Sequence, residues 1–303
     1  MMIELRKEHN MQAFHADPAI KQQLLAQLKA HAQAGEILNR ANAWQDGKGG
    51  PVACLVHDTD LVVWQERTGM PKAVGAALDA AASHLAEPAQ AAQFALEWLE
   101  AVAVGQDLRG VAPALIDWLL TDAEVGLWRS AESAPVQDMI GRIADLQRRV
   151  AADDAPPEAE WRAARAATLA VTDGCERPVE KALARAAEVA AWNPATSASV
   201  VADTVLAWVN MFSLRMPWLV GRGAKLTEEI KAWMAELKAE AEQAGLPAPN
   251  ISERDLCEKH PAVVALRRLQ TDEIKQGQRE DRQRLTKALL AITRQSAGAL
   301  IGA

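Results

Sequence analysis

The sequence has 303 residues, half of them apolar and only 4% aromatic, with 33 Lys and Arg against 40 Asp and Glu for a net charge of −7. That balance suits a folded globular chain and excludes one kept disordered by its own charge. Alanine fills 62 positions and tyrosine none. Alanine loses no side-chain entropy in a helix, while the branched and aromatic residues that sheets favour are scarce. The composition therefore predicts an all-α protein, a multi-helix bundle or irregular helical array without significant sheet.

The first helix is expected after Asp17-Pro18, a capping residue followed by a first-turn proline, with Ile20, Leu24, Leu28, His31 and Leu38 at helical spacing. Three glycines and a proline in Trp44-Gln-Asp-Gly-Lys-Gly-Gly-Pro51 mark a loop, and the proline permits a new helix over the apolar run Val52 to Val56. Thr68-Gly69-Met70-Pro71 is a stop and a restart. Apolar stripes around Trp98, Trp118, Trp208 and Trp233 then place four indoles in packed helix faces. Their unequal separations argue against a solenoid repeat. The segment 198–220 is the most apolar, yet Asp203, Asn210, Arg215 and Pro217 interrupt it, so it reads as a buried helix and not as a membrane span.

Polar residues and paired prolines in 151–158 separate an N-terminal helical region, 1–150, from a C-terminal one, 158–303, and the two are compatible with packing as one domain. Leu226, Ile230, Trp233, Leu237 and Ala241 form a stripe that ends at Gly245 and Pro247. A last helix is expected from Pro261, broken near Gly277. Arg268, Lys275, Arg279 and Arg282 share one of its faces, read as solvated because the strong basic bias and aromatic platforms of nucleic-acid binders are missing.

Reactive side chains are densest between Trp44 and Asp60. A phosphate loop would need Ser or Thr after Lys48, where Gly49 stands, so the nucleotide reading fails. If Val52 to His57 is helical, Cys54 and His57 are three residues apart on one face, a spacing that lets an imidazole activate a thiol. With Asp58 they form the candidate catalytic set, and Gly47, Lys48 and Gly49 the candidate binding loop for an anionic substrate. Used as metal ligands instead, Cys54 and His57 would need a third partner from Asp58, Asp60, Glu36 or His31. Neither the set nor the loop specifies a cofactor. The three cysteines, Cys54, Cys175 and Cys257, show no CxxC pairing, which points away from a disulfide framework and towards a reducing, cytoplasmic setting.

The residues His31, Glu36-Ile37, Trp44, Gly47-Lys48-Gly49, Val52, Cys54 and His57, then Gly69-Met70-Pro71 with Asp79 and Val104-Gly105-Gln-Asp107-Leu108, carry a resemblance over about a quarter of the chain. In them the sequence resembles a group of helical proteins of bacteria and their phages with alanine-rich tracts punctuated by tryptophan. The resemblance implies a location for a site and no reaction. Positions 35, 50, 65 and 78 depart from the pattern by carrying Gly, Gly, Gln and Leu. Two functions follow as expectations. The first is a helical protein-binding or self-associating module, touching neither membrane nor specific nucleic acid. The alternative is a hydrolase or transferase, Cys/His or metal-dependent, with its site at the Gly47–His57 loop.

Overall fold

The computed structural model describes residues 11–211, 217–247 and 261–298. It is 72% helical, with thirteen α-helices and one two-stranded ribbon among the described residues, which makes the protein all-α. In chain order these are α1 (Pro18–Ala34), β1 (Trp44–Gln45), β2 (Lys48–Gly49), α2 (Pro51–Val56), α3 (Leu61–Thr68), α4 (Lys72–Ser83) and α5 (Pro88–Ala101). They continue with α6 (Val111–Thr121), α7 (Leu127–Ser130), α8 (Ala134–Ala151), α9 (Glu158–Gly174), α10 (Pro178–Val189) and α11 (Ser199–Asn210). The last two are α12 (Pro217–Gln243) and α13 (Pro261–Gly298).

Local chemistry sets the boundaries. Asp17 Oδ1 accepts from Ala19 N–H at 2.7 Å and Pro18 occupies the first turn, so α1 starts where its first orphan amides find a partner. Gly69, left-handed at φ 70°, ends α3 and frees the chain to begin α4. The Ala151-to-Glu158 segment does interrupt helix, but the helices on either side of it, α8 and α9, pack against each other.

The chain forms two compact units, 1–211 with 281–303, and 212–280. In the first, Trp64, Trp98, Trp161 and Trp208 are fully buried, each removing roughly 150–250 Å² of ring from water. Their polar edges are mostly answered. Trp98 Nε1 donates to Thr293 Oγ1 at 2.9 Å and Trp208 Nε1 to Val125 O at 2.9 Å, whereas Trp161 Nε1 finds no partner. Gln106, also buried, donates to Thr293 O and Ser296 Oγ, so the end of α13 is keyed to the turn after α5 by polar groups as well as packing. Of the four indoles expected inside, Trp98, Trp208 and Trp233 are buried and Trp118 is half-buried.

In the second unit α12 ends as the glycine signal requires, with Gly245 left-handed at φ 64°. The side chains of Leu226 and Ile230, and Cys257 altogether, lie outside the described residues. The expected break at Gly277 does not occur, because α13 runs through it unbroken. One glycine costs a helix interior only about 1 kcal/mol, which a helix of 38 residues carries. Arg268, Lys275 and Arg279 are exposed and Arg282 is half-buried. No helix among the described residues is long and apolar enough to cross a membrane.

Candidate active site

The site is assembled by three reversals of the chain. The first is the end of α1, where Gly35 at φ 66° turns the backbone back and Glu36 N–H donates to His31 O at 2.9 Å. That reversal places the Glu36 carboxylate on His31, with Oε2 at 2.7 Å from Nδ1. The second is the ribbon β1/β2, whose two-residue turn Asp46-Gly47 has positive φ at both positions, 53° and 79°. Such a turn favours Asp-Gly because both central residues are left-handed. Across it Trp44 pairs with Gly49. Gly49 is required there for a different reason, since a Cβ would come within 2.2 Å of Ala43 O.

The third reversal ends α2 at His57. This residue caps the helix in the left-handed conformation, φ 54°, and its N–H still reaches Ala53 O. The ring thereby leaves the helical face it would share with Cys54 and meets α1. His57 Nε2 lies 3.0 Å from His31 Nε2, and the ring stacks on Trp44 with centroids 5.1 Å apart and planes inclined by 13°. The His31 ring stands edge-on to both. Beneath them Gln27 donates to Cys54 O at 2.7 Å and Leu55 O at 2.9 Å, closing the C-terminal end of α2 against α1. Those two bonds use both amide hydrogens, so the 3.1 Å approach of Gln27 Nε2 to His57 Nε2 brings no further proton.

Proton placement follows from this chain of contacts. The Glu36 carboxylate can only accept, so His31 carries a hydrogen on Nδ1. When both imidazoles are neutral, His31 Nε2 accepts and His57 donates from Nε2, which leaves His57 Nδ1 without a hydrogen-bond partner among the described residues, on an exposed ring. Desolvation lowers the His57 pKa below the ordinary imidazole value, and the nearby His31 and Arg67 act in the same direction.

The loop is held from below by Asp79 of α4. Its Oδ1 accepts from Val52 N–H at 2.9 Å and its Oδ2 from Asn42 N–H at 3.3 Å, so one carboxylate fastens both ends of the segment bearing the ribbon. Gly50, at the N-cap of α2, has no side chain for that task, and Asp79 performs it from 27 residues away. Asp79 is buried, and burial pushes its pKa up to about 6 against the lowering effect of the two amides.

The residues predicted from sequence fare differently. Cys54 is fully buried, its thiol donating to Gly49 O at 3.5 Å and Glu36 O at 3.8 Å. Desolvation, with Asp79 and Glu36 adding negative charge, pushes the thiol up to about 12, which disfavours a nucleophilic thiolate. The expected Cys54–His57 pair is therefore not formed, because the i, i+3 relation needs helical backbone at His57 and finds a left-handed cap. Asp58 Oδ1 accepts from Asp60 N–H at 2.9 Å, and Asp60 in turn caps α3, so Asp58 serves the loop. The amides of Gly49 and Gly50 are spent on Glu36 O and Ala43 O, which leaves exposed Lys48 as the cation of the loop, beside Gly47 in the turn. No group of three or more His, Cys, Asp or Glu that could hold a metal occurs among the described residues, and so the third metal ligand is not supplied. Sequence reasoning missed Gln27 altogether, held Glu36 only as a metal ligand, and read His31 as an inward-facing residue of the first helix's stripe or a metal ligand. Their Gly35 reversal was the available signal. The chain matches no protein-family model, no curated protein and no solved structure.

Proposed function

We propose that this protein is a hydrolase or transferase in which His57 is the general base and Glu36–His31 its proton relay. The observation that carries the reading is the unbroken chain Glu36 Oε2, His31 Nδ1, His31 Nε2, His57 Nε2 at 2.7 and 3.0 Å, on an exposed His57 whose Nδ1 has no hydrogen-bond partner among the described residues. In the proposed step Nδ1 takes a proton from water or a substrate hydroxyl as that oxygen attacks. The Nε2 proton of His57 passes to His31 Nε2, and the imidazolium so formed lies against the Glu36 carboxylate. Both protons return when the leaving group departs, so the pair serves as base and then as acid. Trp44 fixes the plane of the His57 ring, and Lys48 offers a cation to an anionic group of the substrate.

Two measurements test this. Nitrogen-15 spectra of the imidazoles should show His31 as the Nδ1–H tautomer and His57 as the Nε2–H tautomer near neutral pH; the opposite tautomer at His31 overturns the relay. Hydrolysis of 4-nitrophenyl acetate should fall about a hundredfold in His57→Ala, the lower range for general acid–base catalysis, and less in Glu36→Gln. Equal rates in the wild type and His57→Ala would remove the catalytic reading.

A further inference from the structure

Far from the imidazoles in sequence, α10 and α11 lie antiparallel and enclose two adjoining clefts of about 670 and 480 Å³. Val189, Ala207 and Asn210 line both, so the clefts form one continuous groove. Its apolar wall is unusually open. Leu206 is 50% exposed, although large apolar side chains on a monomer's surface normally turn inward when a core is available, and Trp192 is 46% exposed with the Arg165 guanidinium 3.9 Å above its ring centroid. Ala182, Ala186 and Ala207 keep the floor shallow and let another helix approach closely.

Charge divides the groove along its length. Lys181 and Arg185 stand at the end formed by the start of α10 and the end of α11. Glu188 and Asp203 stand at the opposite end. None of these four side chains has an ion-pair partner among the described residues. A surface that is basic at one end, acidic at the other and apolar between them is complementary to itself after a half-turn about its middle. Such a twofold sets Arg185 of one chain against Glu188 of the other and brings the two Leu206 side chains into the shared apolar centre, the isologous arrangement of most homodimers.

We infer that a second copy of this chain occupies the α10–α11 groove, giving a symmetric dimer with the two α10 helices antiparallel. The inference does not depend on the histidine relay. It also predicts the direction of charge effects, which a groove for an unrelated partner does not.

The test is sedimentation equilibrium of the full chain between about 1 and 100 μM at physiological salt, the range that brackets micromolar association. The wild type should be dimeric at the upper end. Leu206→Glu should weaken the dimer by at least about tenfold in Kd, and Arg185→Glu should also weaken it, since each puts like charge or an unpaired charge at the seam. The double variant Arg185→Glu/Glu188→Arg restores the complementarity in both halves at once and should regain dimer. All three sites are on helix surfaces, and circular dichroism confirms that each variant keeps its helix. A wild type that stays monomeric to 100 μM overturns the inference. So does a dimer indifferent to Leu206→Glu, or one that the double reversal fails to restore.

Discussion

Two helices of this protein begin in the same unusual way. At α2 the N-cap is Gly50, which has no side chain, and buried Asp79 of α4 accepts from Val52 N–H. At α8 the N-cap is Ser133, whose hydroxyl points away to donate, and buried Glu180 of α10 accepts from Glu132 N–H, Ser133 N–H and Ser133 Oγ–H. At α2 the carboxylate takes the Val52 amide that a local cap normally serves, and at α8 it holds the N-cap residue and the one before it, so in both cases a carboxylate from another helix couples helix initiation to tertiary packing. The difference lies in how well each acid is served. Glu180 receives three donors and has the Arg177 guanidinium nearby. Each acid has one longer contact of 3.3 Å, but Asp79 receives only two donors, and burial raises its pKa to about 6. The leaner junction carries the ribbon and the helix that end in Trp44 and His57.

That contrast predicts unequal costs. Glu180→Ala strands three buried or half-buried donors, each worth roughly 1–3 kcal/mol when left unmade, and should cost about 3 kcal/mol or more. Asp79→Ala strands two donors but also removes a carboxylate that burial holds in an unfavourable charged state near neutral pH. Its net cost should be smaller, about 1–2 kcal/mol. Urea unfolding of both variants at pH 7 decides the order. A larger loss for Asp79→Ala would break the comparison, because the extra donor at Glu180 would then count for nothing.

The pH dependence sharpens it. The folded-state pKa of Asp79 is raised, from the ordinary 3.8 to about 6, so the fold prefers the protonated acid. Asp79's contribution to stability is therefore full below about pH 4 and is lost as the pH rises through about 6. Asp79→Asn cannot ionise, and the stability of the wild type relative to this variant should fall across that window, by an amount on the order of 3 kcal/mol. Unfolding midpoints at pH 4, 5, 6 and 7 measure it. A constant difference between the two proteins would mean that Asp79 is ionised at ordinary carboxylate pH in the fold as well.

Much of the fold was legible in the sequence because its cause is local. Alanine content, the Asp17-Pro18 cap, the Gly69 stop and the tryptophan stripes all act within a turn or two of themselves. The ribbon was harder to see. Asp46-Gly47 is the pair that such a turn favours, but strands of two residues are too short for alternation to show. The residues of the proposed relay were legible only in part. His57 lies in the segment that the sequence singled out, yet the spacing of Cys54 and His57 pointed to a pairing that the left-handed cap at His57 undoes. Glu36 and His31 meet because Gly35 reverses the chain, and Asp79 reaches Val52 from a separate helix. Both relations are tertiary, and no periodicity along the chain encodes them.

The smallest effect expected is also the most direct report on how the two junctions are held. Cys54 lies in α2, above Asp79, fully buried and with its pKa pushed up to about 12, whereas Cys175 caps the C-terminus of α9, three residues before α10 begins, and is half-buried. In a Cys257→Ser background a thiol reagent at pH 8 should therefore label Cys175 in the native protein and Cys54 only through opening of α2. If Asp79 holds the start of that helix, Asp79→Ala should make Cys54 react faster, by about the factor that a loss of 1–2 kcal/mol gives to a local opening equilibrium, roughly 5–30-fold. Glu180→Ala should leave the ratio of Cys54 to Cys175 labelling unchanged or lower it, because its junction lies beside Cys175 and not beside α2. Should Cys54 label as quickly as Cys175 in the unmodified chain, the buried thiol would be accessible after all, and a cysteine mechanism at this loop would return to consideration.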